Sequence, residues 1–238
     1  MTHVKNAACY SRLVDCCTGL GGTYNPGRPT LQLDALVARE HEVKNALEAV
    51  LVTKSRFDTV VNKRKEVFTH LRRLISSILR TLEASGVSAE KLQDVRGFAR
   101  HITGSLPKQR AAVASAEVVV VKRHSILQMA YVSQADAFAK VVEAVSTEPL
   151  YLTHEQHLSV AGLRQKMEEL NALNQEVVEA RGQWSRARIH RNALLYGKEE
   201  SVYESMRAVR RYVNALFGLH SEEYALVKHL IMIKPRKV

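Results

Sequence analysis

Between Thr30 and Ser85 the chain contains neither proline nor glycine, and its apolar residues recur at spacings of three and four: Leu33, Leu36, Val43, Leu47, Val50, Phe57, Val61, Phe68, Leu71, Ile75, Ile78 and Leu82. That period gathers the apolar side chains on one stripe of an α-helix. With no breaker inside it, the helix is expected to be continuous and about 80 Å long at 1.5 Å per residue. A stripe close to a seven-residue repeat favours coiled-coil-like packing against another helix.

The natural partner lies in the same chain. Tyr10-Ser-Arg-Leu-Val-Asp15 matches Phe138-Ala-Lys-Val-Val-Glu143 with chemical type conserved at each position. Further on, Tyr24 matches Tyr151, Leu31 matches Leu158, Leu36 matches Leu163, Lys54 matches Arg181, Phe57 matches Trp184 and Arg64 matches Arg191, all at an offset of 127. After an insertion around Tyr196-Gly-Lys-Glu-Glu200 the register resumes, with Gly86 against Gly218 and Val95 against Val227. Chance similarity of two amphipathic helices would not carry over the turn and glycine positions.

The expected fold is therefore all-α, an elongated antiparallel helical bundle of two tandem-repeated modules with pseudo-twofold symmetry and long central helices. Residues 1–104 form the first module and 128–238 the second, the two packing into one bundle. Residues 105–127, with Pro107 and the β-prone Val118-Val-Val-Val121, read as an extended connector. Each module should open with a short helix, Ala8 to Thr18 or Ser133 to Ser146, the second begun by a capping box of Ser133 and Asp136. Turns follow at Gly21-Gly22 with Asn25-Pro26-Gly27, and at Thr147-Glu-Pro149. The second long stripe runs through Val160, Leu163, Met167, Leu170, Val177, Trp184 and Leu195 and resumes with Val202, Met206, Val209, Val213 and Leu216. Gly86 and Gly218 read as left-handed C-caps, followed by helices over Ala89 to His101 and Ser221 to about Met232.

The same spacing passes through Glu40, Lys54, Arg64, Arg181, Arg188 and Arg191, which puts cations on the face meant for burial. Asp58, Glu66, Glu176 and Glu179 could pair with them, or long side chains could reach water. A sharper expectation is that Lys54, Arg56, Arg64, Arg181, Arg188 and Arg191 hold a small anion or phosphate between the modules, because the planar guanidinium binds phosphate and carboxylate through two parallel hydrogen bonds.

Net charge is +11 and the pI about 9.7, which favours an acidic protein or nucleic acid as partner. Lys63, Lys65, Arg72, Arg73, Lys122, Arg123, Arg210 and Arg211 are the candidate nucleic-acid contacts, expected to meet phosphates without sequence preference. Few aromatic residues lie off the stripe to stack on bases.

Other patterns carry less. His154-Glu-Gln-His157 is one residue short of a zinc-protease motif, and Gly19-Leu-Gly-Gly22 lacks the Lys-Ser/Thr of a phosphate loop. Cys9, Cys16 and Cys17 have neither disulfide nor zinc spacing and fit a reducing compartment. No catalytic residues, metal or cofactor are expected. The N-terminus lacks the apolar core of an export signal, and the apolar runs are too short to span a bilayer. A cytoplasmic location is expected.

Glu148-Pro-Leu-Tyr151, Arg191-Asn-Ala-Leu-Leu-Tyr196, Val209-Arg-Arg-Tyr-Val-Asn-Ala-Leu-Phe-Gly218 and Ser221-Glu-Glu-Tyr224, with Tyr24-Asn-Pro26 and Leu82-Glu-Ala-Ser-Gly86, resemble a family of uncharacterised, duplicated all-helical bacterial proteins. The resemblance covers most of the chain and implies no activity. Glu222 stands where that family often has proline. The expected function is thus a non-enzymatic helical interaction or scaffolding protein, open to homo-oligomerisation. Sequence-independent nucleic-acid binding and small-anion binding are the alternatives.

Overall fold

The computed structural model describes residues 2–104 and 116–234, except for the side chains of residue 2 and residues 116–129. Among the described residues all regular structure is helical: α1 (Thr2–Gly19), α2 (Leu33–Ala84), α3 (Ala89–Thr103), α4 (Ala116–Ser146), α5 (Val160–Tyr196), α6 (Val202–Phe217) and α7 (Glu222–Lys228), with 3₁₀ turns at Gly21–Thr23 and Pro29–Leu31. None of these helices is long and apolar enough to cross a membrane.

The 52 residues of α2 form one uninterrupted helix. It starts after Gln32, whose extended backbone (ψ 152°) breaks from the preceding turn and whose carbonyl accepts the Leu36 amide at 3.0 Å. Its end is set by Gly86, whose φ of +72° only glycine adopts without steric cost. Serine side chains accept first-turn amides in four of the later helices: Ser88 from Lys91 N in α3, Ser159 from Gly162 N in α5, Ser201 from Glu204 N in α6, and Ser221 from Tyr224 N in α7.

Three expectations need correction. The stretch Ala116–Leu127 is not an extended connector but the start of α4, which runs through Ser133 without a break, so Ser133 and Asp136 cap nothing. The β-branched run Val118–Val121 biased the reading, yet extending an existing helix costs far less than starting one. Residues 105–115 lie outside the described residues. Gly218 has φ +90° and ψ 163°, a positive-φ stop but not a left-handed helical cap. The last helix ends at Lys228, well short of Met232.

The chain divides into two compact units. The first comprises Met1–Arg56 and Arg181–Val238, and the second Phe57–Ala180. Both α2 and α5 contribute one part to each unit.

The core of the first unit gathers Tyr10, Leu13, Val14 and Cys17 of α1, Leu36 and Val43 of α2, Leu195 of α5, Val202, Met206, Val209 and Val213 of α6, and Val227 of α7. Tyr10 and Tyr24 spend their hydroxyls inside this core, donating to the carbonyls of Leu36 (3.2 Å) and Leu31 (2.8 Å). Asn6 fastens the C-terminal segment to α1. Its side chain, 4% exposed, donates to the Ile233 carbonyl at 2.8 Å, accepts from the Ile233 amide at 3.2 Å, and reaches the Tyr196 hydroxyl at 2.8 Å. Replacing Asn6 with Ala strands both backbone groups of Ile233, and at about 1 kcal/mol per net hydrogen bond the expected loss is about 2 kcal/mol in urea unfolding. Wild-type stability in that variant would show that the clamp contributes nothing.

In the second unit, Phe68, Leu71, Ile75, Ile78 and Leu82 of α2 pack with Val95 and Ile102 of α3, Phe138, Val141, Val142 and Val145 of α4, and Leu163 and Leu170 of α5. Val60 meets Val177 and Ala180, while Arg64, one turn later in α2, reaches Asn174, one turn earlier in α5. Within this unit the two helices therefore run antiparallel.

Candidate functional site

The six cations expected to share an inner band have different surroundings. In the first unit Arg56, Arg181 and Arg188 are exposed, and Lys54 and Arg191 are half-buried. The expectation that they sit on a buried face is thus corrected. The helix period of 3.6 drifts from a seven-residue pattern, and over a helix this long the drift carries nominal stripe positions outward.

Trp184 organises part of this set. Lys54 Nζ lies 5.4 Å from its ring centre and Arg188 Cζ lies 5.0 Å away, both within the range where a cation is attracted to an aromatic face. Arg56 donates from Nη1 to Gln183 Oε1 at 3.1 Å. Arg191 donates to Asn192 Oδ1 at 2.7 Å through Nη2. Burial and the nearby Arg188 charge lower the proton affinity of Arg191, and burial followed by the Arg191 charge does the same to His3. Two large apolar side chains stand open beside this cluster: Leu51, 70% exposed and one turn before Lys54, and Ile189, 66% exposed and next to Arg188.

Arg64 belongs to the second unit and is buried there, only 5% exposed. Its Nη1 donates to Asn174 Oδ1 at 3.3 Å, and its guanidinium carbon sits 4.3 Å from the Tyr131 ring centre. Asn174 in turn donates to the Tyr131 carbonyl at 3.4 Å. Burial lowers the proton affinity of Arg64, opposed by Tyr131, and its Nε has no hydrogen-bond partner.

Of the candidate nucleic-acid contacts, Lys63, Lys65, Arg72, Arg73 and Arg211 are exposed and Arg210 is half-buried; the side chains of Lys122 and Arg123 lie outside the described residues. Lys65 and Arg72, two helical turns apart on α2, line a cleft of about 260 Å³ with Tyr131 and Gln134. Arg72 also donates from Nε to the Ile102 carbonyl at 3.3 Å.

A cleft of about 660 Å³ lies over the start of α5, lined by His70, Glu155, His157, Lys166 and Glu169 among others. His154 and His157 are exposed and precede α5 rather than opening it. Gly162 admits the preceding loop, since a Cβ there would collide with the Gln156 carbonyl oxygen. No group of His, Cys, Asp or Glu among the described residues could hold a metal ion. Burial raises all three thiols, Cys17 to about 11, so they stay protonated and weakly nucleophilic near neutral pH.

A further cluster on α6 escaped the sequence reading, which noted Arg210 and Arg211 only as a pair. Arg207, Arg210, Arg211 and Asn214 follow the spacing i, i+3, i+4, i+7 and thus share one helix face. With Tyr224 of α7 they line a cleft of about 220 Å³. The helical spacing is the signal that places the four on one face, on the same helix as the apolar row Val202, Met206, Val209 and Val213.

No family model, curated protein or solved structure matches this chain.

Proposed function

We propose that the chain is a non-enzymatic interaction module, built from one helical unit used twice, that presents a mixed basic and apolar surface to an acidic protein partner. The observation that carries this reading is Trp184 flanked by Lys54 and Arg188, with Arg56 and Arg181 exposed and Leu51 and Ile189 open to solvent beside them. Apolar and aromatic side chains supply contact area on such a surface, and cations select acidic partners and steer their approach.

The duplication is supported by details that recur at positions matched between the two halves of the sequence. Tyr24 and Tyr151 each donate to a carbonyl seven residues on, Leu31 and Leu158, both at 2.8 Å. Arg39 pairs with Glu42 at 3.1 Å as Lys166 pairs with Glu169 at 2.8 Å. Tyr10 and Phe138, Leu36 and Leu163, Val43 and Leu170, and Val95 and Val227 are core residues in equivalent places. Each compact unit combines the front of one module with the rear of the other.

The test is fluorescence anisotropy with labelled polyglutamate and a labelled oligonucleotide of matched charge, each titrated at low and moderate salt. Polyglutamate is expected to bind and to weaken about tenfold when Lys54 and Arg188 are both changed to Gln. Binding of the oligonucleotide alone would overturn this reading. It would favour the second one, sequence-independent nucleic-acid binding, for which the Lys65, Arg72 and Tyr131 cleft speaks.

A further inference from the structure

The cleft between α6 and α7 brings together three guanidinium-bearing residues, Arg207, Arg210 and Arg211, with Asn214 and Tyr224, and its lining contains no carboxylate. Glu204 stands 3.7 Å from Arg207 Nη1, within ion-pair reach but too far for a hydrogen bond. Like charges converge here without a counter-charge in the lining. Two of the lining residues also carry a buried polar atom without a partner, the Arg210 Nε donor and the Asn214 Oδ1 acceptor. Buried groups of this kind are normally satisfied, by protein, water or a ligand.

We infer that this cleft binds a hydroxyl-bearing oxyanion of the phosphate type, with Arg210 and Arg211 holding the anionic oxygens and Asn214 accepting a hydrogen bond from the hydroxyl. Both halves of that ligand follow from the lining. Guanidinium forks match tetrahedral oxyanions, and an amide oxygen needs a donor that a fully deprotonated anion lacks. A volume of about 220 Å³ admits a phosphate and a short substituent rather than a large cofactor. The site lies on α6 and α7, apart from the residues that carry the protein-binding reading, and stands or falls independently of it.

The experiment is isothermal titration of the full chain with inorganic phosphate, sulfate and glycerol phosphate at matched ionic strength and neutral pH. Hydrogen phosphate carries a hydroxyl and sulfate does not. Saturable phosphate binding, several-fold tighter than sulfate, is expected. Arg210→Gln should abolish it. Asn214→Ala should keep binding but remove the preference over sulfate. Arg211→Gln, at an exposed position, should weaken binding in a chain whose circular dichroism matches wild type, so the result does not depend on Arg210→Gln folding. Tighter glycerol phosphate than inorganic phosphate would place the natural group on an ester, and the reverse would make it free phosphate; either supports the site. No saturable binding, or equal binding in Arg211→Gln, overturns it.

Discussion

Phe138→Ala is expected to lower the stability of the second unit by about 3–5 kcal/mol, the usual loss when a buried aromatic becomes alanine. Phe138 is fully buried on α4, within a core shared with Leu71, Ile75 and Ile78 of α2 and Val141 and Val142 of its own helix. Truncation removes the transfer free energy of the ring and leaves a void that helices held by other contacts can close only in part. Part of the loss should return in Phe138→Leu, which refills most of the volume. Hydrogen exchange is the measurement of choice, because it reports residues 57–180 directly: amides of α3 and α4 should exchange faster at Ala and intermediately at Leu. Unchanged protection in Phe138→Ala would contradict the core assignment.

The second large effect concerns Arg64, where the outcome depends on the replacement. Arg64→Ala is expected to cost about 2–4 kcal/mol: it removes the stacking on Tyr131, leaves a cavity, and deprives Asn174 Oδ1 of its donor. Arg64→Met also deprives Asn174 Oδ1 of its donor, but it keeps most of the volume and removes the cost of a desolvated cation, which offsets that loss. It should lie within about 1 kcal/mol of wild type. Arg64→Lys should fall between, since an ammonium lacks the planar fork that spans Tyr131 and Asn174 together. Urea unfolding of the three variants decides it. Equal losses in Ala and Met would mean that the charge itself, not packing, holds the position.

The contrast between Arg64 and its sequence neighbours explains how much of the fold could be read in advance. Apolar spacing from Leu33 to Leu82 and the lack of Pro and Gly were enough to place α2 as one helix, and Gly86 marked its end. Serine caps are equally legible in principle: Ser201-Val-Tyr-Glu204 opens α6, whereas the similar pattern at Ser133 lies inside α4, where a continuing helix leaves it nothing to cap. Val118–Val121 misled because strand propensity is a local preference that a longer helix overrides.

The candidate surface was only half legible. Trp184 and Arg188 lie one turn apart on α5, so their proximity follows from sequence, whereas Lys54 joins them only because α2 passes alongside in the first unit. The α6 row Arg207, Arg210, Arg211 and Asn214 is a matter of helical spacing, but Tyr224 closes the cleft from another helix.

By itself, the sequence determined the all-helical class, the long uninterrupted α2 and its stop at Gly86, because helix formation and termination are decided by residues within a turn or two of each other. Tertiary structure alone decided which nominal stripe positions are buried, that Arg64 is enclosed while Arg181 and Arg188 face water, and that each compact unit draws on both halves of the chain. Burial depends on which helix lies opposite, and that contact joins residues more than a hundred positions apart, as in Arg64 and Asn174.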